Sequence, residues 1–270
     1  MPYIKVGEEN SAPIELYYED HGSGRPVVLI HGYPLNGHSW EKQESALLET
    51  GHRVITYDRR GFGKSSQPVT GYDYDTFAAD LNTLMETLDL RDVVLGGFSM
   101  GSGEVTRYLG TYGSGRVRKA VLMAPLQPYL LEVVDRSVLD DTMKAVVADR
   151  FAFLKSFLDN FYNMDVLGGT KVSEQAWQAS FQVAAAASAT ATLKCVPTWG
   201  SDFRKDVASF DVPTLVIQGD KDRILPIDAT GNRLTGLIRD LQYVVIEGGP
   251  HAIGWTHPEL VNAALLDFVK

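Results

Sequence analysis

Gly97-Phe98-Ser99-Met100-Gly101 has the G-x-S-x-G spacing that sets a serine on a sharp turn from strand to helix. Asp92-Val93-Val94-Leu95-Gly96 before it is a short β-rich apolar run, and Ser102 to Leu109 after it has helical apolar spacing. The glycines have a physical reason. Such a turn holds the serine in a strained conformation and brings strand and helix so close that a Cβ at 97 or 101 would collide with its neighbours. The Ser99 Oγ is then exposed above the strand ends, and the Met100 N–H, near a helix N-terminus, points to where an oxyanion would form. The plainer reading, a glycine-rich turn that only starts a helix, fits the five residues but not their flanks.

Towards the N-terminus, Ile14 to Glu19 and Arg25 to Ile30 read as strands; Pro26-Val27-Val28-Leu29-Ile30 is a continuous apolar run expected for a strand buried on both faces. His31-Gly32-Tyr33-Pro34 ends it, where a serine hydrolase of this kind takes its second oxyanion donor; here that donor is the Tyr33 N–H. Pro34, with fixed φ, stiffens the loop. Trp40 to Glu49 reads as a helix with Gly51 past its end, and Arg53 to Asp58 as the next buried strand. Gly63-Lys64-Ser65 is reminiscent of a phosphate loop, but the first glycine of that motif would fall at Asp58, and Pro68 and Gly71 bar an immediate helix. Phe77, Leu81, Leu84 and Leu88 mark an amphipathic helix leading into the serine strand.

Beyond the elbow, Arg116 to Ala124 reads as a strand. The alternation of strand and helix then lapses until about Phe210, giving way to helical patterns rich in aromatics and alanine. We expect one α/β domain over 1–270, with a mostly parallel central sheet flanked by helices and 126–210 as a helical cap inserted after the sixth strand. Phe153 and Phe157, one helical turn apart, are candidates for facing a substrate, as is Ile224. The rhythm resumes with Val212 to Gln218, a strand running into Gly219-Asp220-Lys221-Asp222, and Leu241 to Glu247, a strand that delivers Gly248-Gly249-Pro250-His251.

The order serine, aspartate, histidine is that of α/β hydrolases. Among six histidines, His257 fits a capping box with an early-helix proline, Thr256-His257-Pro258-Glu259. His21, His38 and His52 sit in polar turn or helix contexts, and His31 belongs to the oxyanion loop, which leaves His251 as the base. Asp220 and Asp222 compete as the acid: Asp220 directly follows Gly219 and can shape the turn, whereas Asp222 lies far enough out to reach an imidazole above the sheet.

With 270 residues, 44% hydrophobic and 22% charged, the chain can bury one large core. A formal net charge of -9 tells against nucleic acid and anionic membrane partners. One cysteine, Cys195, excludes an internal disulfide or a multi-cysteine metal site and fits a reducing compartment. No stretch approaches the ~18 apolar residues of a membrane span, so a cytoplasmic location is expected. No cofactor or metal motif is present.

The residues resemble the cofactor-free haloperoxidases and their arylesterase, perhydrolase and γ-lactamase relatives. Gly32-Tyr33-Pro34-Leu35, Ser39-Trp40-Glu41, Tyr57 to Gly63, Tyr72 to Asp80, Gly97 to Gly103 with Glu104, Arg107-Tyr108 and Asp202-Phe203-Arg204 with Asp206 carry the likeness. It implies Ser99 as nucleophile, Asp222 as orienting acid, His251 as base, and Tyr33 and Met100 as oxyanion donors. Pro34 is similar to members noted for perhydrolysis. Implied partners are a small ester or carboxylic acid and hydrogen peroxide, with halide oxidised indirectly, no cofactor, and a dimer or trimer. The segment around Val133 to Leu139 is several residues shorter than in typical members, which bears on pocket shape. Rival readings are hydrolysis of a lactam, amide or C–C bond, separable by substrate profiling, and a non-catalytic ligand receptor, in which Ser99 would escape a fluorophosphonate probe.

Overall fold

A computed structural model describes residues 2–270. Eight strands form one sheet: β1 (Tyr3–Glu9), β2 (Ala12–His21), β3 (Pro26–Ile30), β4 (Arg53–Tyr57), β5 (Val93–Phe98), β6 (Val117–Met123), β7 (Thr214–Gly219) and β8 (Leu241–Ile246), in the order β1-β2-β4-β3-β5-β6-β7-β8. β1 pairs antiparallel with β2 and β2 with β4; the remaining neighbours are parallel. Every residue of β5 and β7 is buried, as parallel strands covered on both faces require. β5, which delivers Ser99, lies between β3 and β6, so its C-terminal end opens next to the loops that follow those two strands.

The helices are α1 (Glu41–Glu49), α2 (Tyr74–Thr87), α3 (Met100–Tyr112), α4 (Ser137–Ala148), α5 (Arg150–Tyr162), α6 (Met164–Leu167), α7 (Glu174–Ala186), α8 (Ala189–Lys194), α9 (Arg204–Ala208), α10 (Gly231–Leu234), α11 (Ile253–Thr256) and α12 (Pro258–Val269). α2 packs on α3 and α1 on α12, while α4 to α9 all fall between β6 and β7. α2 starts where Asp73 accepts the Thr76 N–H, α5 where Asp149 accepts those of Phe151 and Ala152, and α7 where Ser173 accepts that of Ala176. None of the helices of the described residues is long and apolar enough to cross a membrane.

Several sequence expectations shift. β1 was not foreseen; it is an edge strand whose only buried residue is Ile4, so it lacks the clean alternation that marks a half-buried strand. Leu88 stands just past α2 as its C-cap. The Thr256 capping box does not form, because Thr256 closes α11 and its Oγ1 donates to the Ala252 carbonyl; His257 takes the N-cap position of α12, and Pro258 opens that helix. Gly63 and Lys64 enclose a carboxylate. Asp58 Oδ2 accepts the Lys64 N–H at 2.7 Å and Oδ1 the Gly37 N–H at 2.8 Å, and a Cβ on Gly63 would fall 2.0 Å from Asp58 Oδ2.

Candidate active site

The elbow is as tight as its glycines demand. Ser99 has φ 53° and ψ -121°, a region that costs a non-glycine residue free energy unless the surroundings enforce it. A Cβ on Gly97 would lie 2.2 Å from the Gly101 carbonyl oxygen, and one on Gly101 2.3 Å from that of Ile30. The Ser99 N–H donates to the Met123 carbonyl at 2.8 Å, holding the turn to the end of β6.

Ser99 Oγ lies 2.8 Å from His251 Nε2, and His251 Nδ1 lies 2.7 Å from Asp222 Oδ2. Three residues 152 and 29 positions apart thus form one continuous hydrogen-bonded line, all buried. Asp222 is fixed by its other oxygen, Oδ1, which accepts the N–H groups of Ile224 and Leu225 at 2.9 and 2.8 Å. Asp220 takes the other role foreseen for it: its Oδ1 accepts the Gly248 N–H at 2.7 Å and braces the two loops against each other. Those loops abut so closely that a Cβ on Gly219 would fall 2.1 Å from the Gly249 carbonyl. Helix α5 ties down both: the Phe161 carbonyl accepts the Ala252 N–H at 3.0 Å, and Asn163, just past its end, donates to the Lys221 carbonyl at 2.9 Å.

The Tyr33 and Met100 N–H groups, the two expected oxyanion donors, find no acceptor among the described residues. Gly32 permits the approach, since a Cβ there would lie 3.0 Å from the Ser99 Cβ. Behind this loop His31 is fully buried, with Nδ1 2.8 Å from the Gly32 carbonyl and Nε2 accepting the Arg59 N–H at 2.9 Å. Those partners select the neutral tautomer with the proton on Nδ1. Burial, reinforced by the Arg59 guanidinium, holds the imidazole well below its usual range. Arg59 also donates to the His31 carbonyl at 3.0 Å and to Glu104 Oε2 at 2.8 Å, and the Tyr57 hydroxyl donates to the same carboxylate. The Tyr57-to-Gly63 segment and Glu104 therefore support the oxyanion loop from below.

A cavity of about 340 Å³ opens over Ser99. Tyr33, Phe153, Phe157 and Ile224 all line it, so the residues singled out in the sequence converge on one space. Leu126, Leu130, Val134, Val138, Leu139, Thr142 and Trp199, unforeseen, supply much of the remaining wall. Their signal was partly present, for three of them, Val134, Val138 and Leu139, lie within the stretch around Val133 to Leu139 that the sequence reading tied to pocket shape. Ring edges join Tyr33 to Phe157 and Trp199, with centroids 5.5 and 5.0 Å apart. Cys195 is buried elsewhere, and burial pushes its thiol up to about 12, which leaves it unreactive.

A family model described as alpha/beta hydrolase fold matches residues 25–258. The chain belongs to the α/β-hydrolase family. Within this family it is 62% identical to a Synechocystis protein provisionally named a non-heme chloroperoxidase, over the whole of both chains. It is 41% identical to a non-heme chloroperoxidase of Kitasatospora aureofaciens, over 95% of this chain and 96% of the relative. Among solved structures, a bromoperoxidase from Bacillus anthracis superimposes with a TM-score of 0.95 at 46% identity, covering 99% of this α/β hydrolase and 98% of that chain. The resemblance read from the sequence is thereby borne out, and the protein is an enzyme of the α/β-hydrolase type with haloperoxidase homologues.

Proposed function

We propose that this enzyme is a serine hydrolase that acts on small esters and carboxylic acids through an acyl-enzyme and also makes peracids from a carboxylic acid and hydrogen peroxide. The observation that carries this reading is the hydrogen-bonded line Ser99–His251–Asp222 at 2.8 and 2.7 Å. His251 Nε2 takes the Ser99 proton as Oγ attacks the acyl carbon, and Asp222 holds the ring with Nδ1 protonated and stabilises the imidazolium. The Tyr33 and Met100 N–H groups receive the charge that develops on the carbonyl oxygen. Collapse releases the leaving group, an alcohol from an ester or water from a carboxylic acid, which takes the proton back from His251 and leaves an acyl ester on Ser99.

Water activated by His251 then frees the carboxylic acid. Hydrogen peroxide in its place gives the peracid, and the peracid oxidises a halide in solution, returning the carboxylic acid and a hypohalous acid. The relatives' haloperoxidase names are consistent with this second outcome. Both reactions pass through one acyl-enzyme, so Ser99→Ala should lower p-nitrophenyl acetate hydrolysis and peracetic acid formation together, by about 10⁶. Peroxide-dependent bromination that survives in Ser99→Ala at wild-type rate would refute the shared intermediate.

A further inference from the structure

A second cavity, of about 140 Å³, adjoins the two rings that pack against the His251 imidazole. Phe98 and Phe161 line it and flank His251, their centroids 5.0 and 5.3 Å from that of the imidazole, and neither ring lines the cavity over Ser99. One wall is a single face of α7, where Ala176, Ala179, Ser180 and Val183 recur at i, i+3, i+4 and i+7. The two alanines leave the hollow that larger side chains would fill.

Ser39 and Trp40 line the same space and belong to the Ser39-Trp40-Glu41 motif, for which the Ser99 chemistry has no use. Trp40 is 2% exposed, and neither its indole N–H nor the Ser39 hydroxyl has a hydrogen-bond partner among the described residues. Indole nitrogen only donates, and buried donors are rarely left without an acceptor. Tyr162 and Ser180 do not meet this need, because they bond to each other at 2.7 Å and Ser180 to the Ala176 carbonyl at 3.1 Å. Among the described residues no Lys or Arg lines the cavity, and its one carboxylate, Glu41, and its one imidazole, His38, are both exposed, so no buried charge there calls for an ion. A cavity of about 150 Å³ is large enough for benzene.

We propose that this cavity binds a neutral single-ring aromatic molecule carrying an acceptor oxygen. The oxygen receives the Trp40 N–H and the Ser39 hydroxyl, and the ring lies among Phe98, Phe161 and Val183. The site is separate from the Ser99 cavity and does not depend on the reaction assigned there.

4-Bromophenol tests this in the full-length protein, because the anomalous scattering of bromine locates it in a crystal while titration calorimetry gives its affinity. Bromine is expected beside Val183 in the wild type and absent from that position in Ala179→Phe, whose ring occupies the hollow. Trp40→Phe and Ser39→Ala, each checked for an unchanged fold by thermal melting, should raise the Kd for phenol roughly 3- to 10-fold, the worth of one hydrogen bond. Toluene, equal in size but without an acceptor, should bind the wild type more weakly than phenol by a similar factor. Bromine found only over Ser99 or nowhere, or phenol affinities equal in the wild type, Trp40→Phe and Ser39→Ala, would overturn the proposal.

Discussion

At the scale of single residues, Asp222 meets His251 Nδ1 at 2.7 Å and does not line the cavity over Ser99, so the proposed mechanism has it act through the imidazole. Asp222→Asn keeps the shape but offers Nδ1 a group that can donate, favouring the wrong tautomer. The kcat for p-nitrophenyl acetate should fall about 10⁴-fold, by analogy with other triads. His31 gives a second test. Its folded-state pKa lies below the unfolded value because of burial and then Arg59, so the unfolded chain takes up the proton more readily. The stability it permits is therefore present above pH ~6.5 and is lost as the pH falls, by at most about 1.4 kcal/mol per pH unit. His31→Gln, which can still accept the Arg59 N–H, should lose less thermal stability between pH 7.5 and pH 5 than the wild type does. Much at this scale was legible: Gly97, Ser99 and Gly101 follow from steric demands that any such turn makes. The choice of Asp222 over Asp220 rested on reach beyond Gly219 and on the resemblance, since both stand on one turn, and the structure brings Asp222 to the imidazole and Asp220 to the Gly248 N–H.

At the scale of elements, the elbow helix α3 does more than carry the serine turn. Through Glu104 it holds Arg59, and through Arg59 the carbonyl of His31 at the start of the oxyanion loop. Both charges are fully buried, so Glu104→Gln leaves a guanidinium without its counter-charge. We expect a loss of about 3–5 kcal/mol in urea unfolding, together with a lower kcat in whatever protein remains folded. The sequence marked Arg59 and Glu104 only as shared wording; their meeting across 45 positions has no local periodicity to announce it. The same holds for β1, whose exposed edge position erases the pattern on which strand assignment depends, whereas β3 and β5 announce themselves by apolar runs and β7 by Leu215-Val216-Ile217.

At the scale of the whole molecule, the sheet supplies the reacting groups and the helices between β6 and β7 supply the enclosure. Which faces of those helices look onto Ser99 could be read only for the aromatic pair Phe153 and Phe157, because small and aliphatic residues such as Leu130, Val134 and Leu139 look alike whether they fill a core or line a void. Leu130, 6% exposed and lining the cavity, should limit the acyl chain. Leu130→Ala is expected to raise the ratio of kcat/KM for p-nitrophenyl hexanoate to that for acetate, by up to roughly fourfold for each methylene newly accommodated. Tyr33 joins the two parts. Its main chain lies in the loop just after β3, while its phenol donates to the Thr192 carbonyl of α8 at 3.0 Å and its ring meets Phe157 and Trp199 edge-on. On the proposed mechanism, remodelling the roof to admit a bulkier guest would tug on the amide assigned to steady the anion, so selectivity and turnover would be geared together.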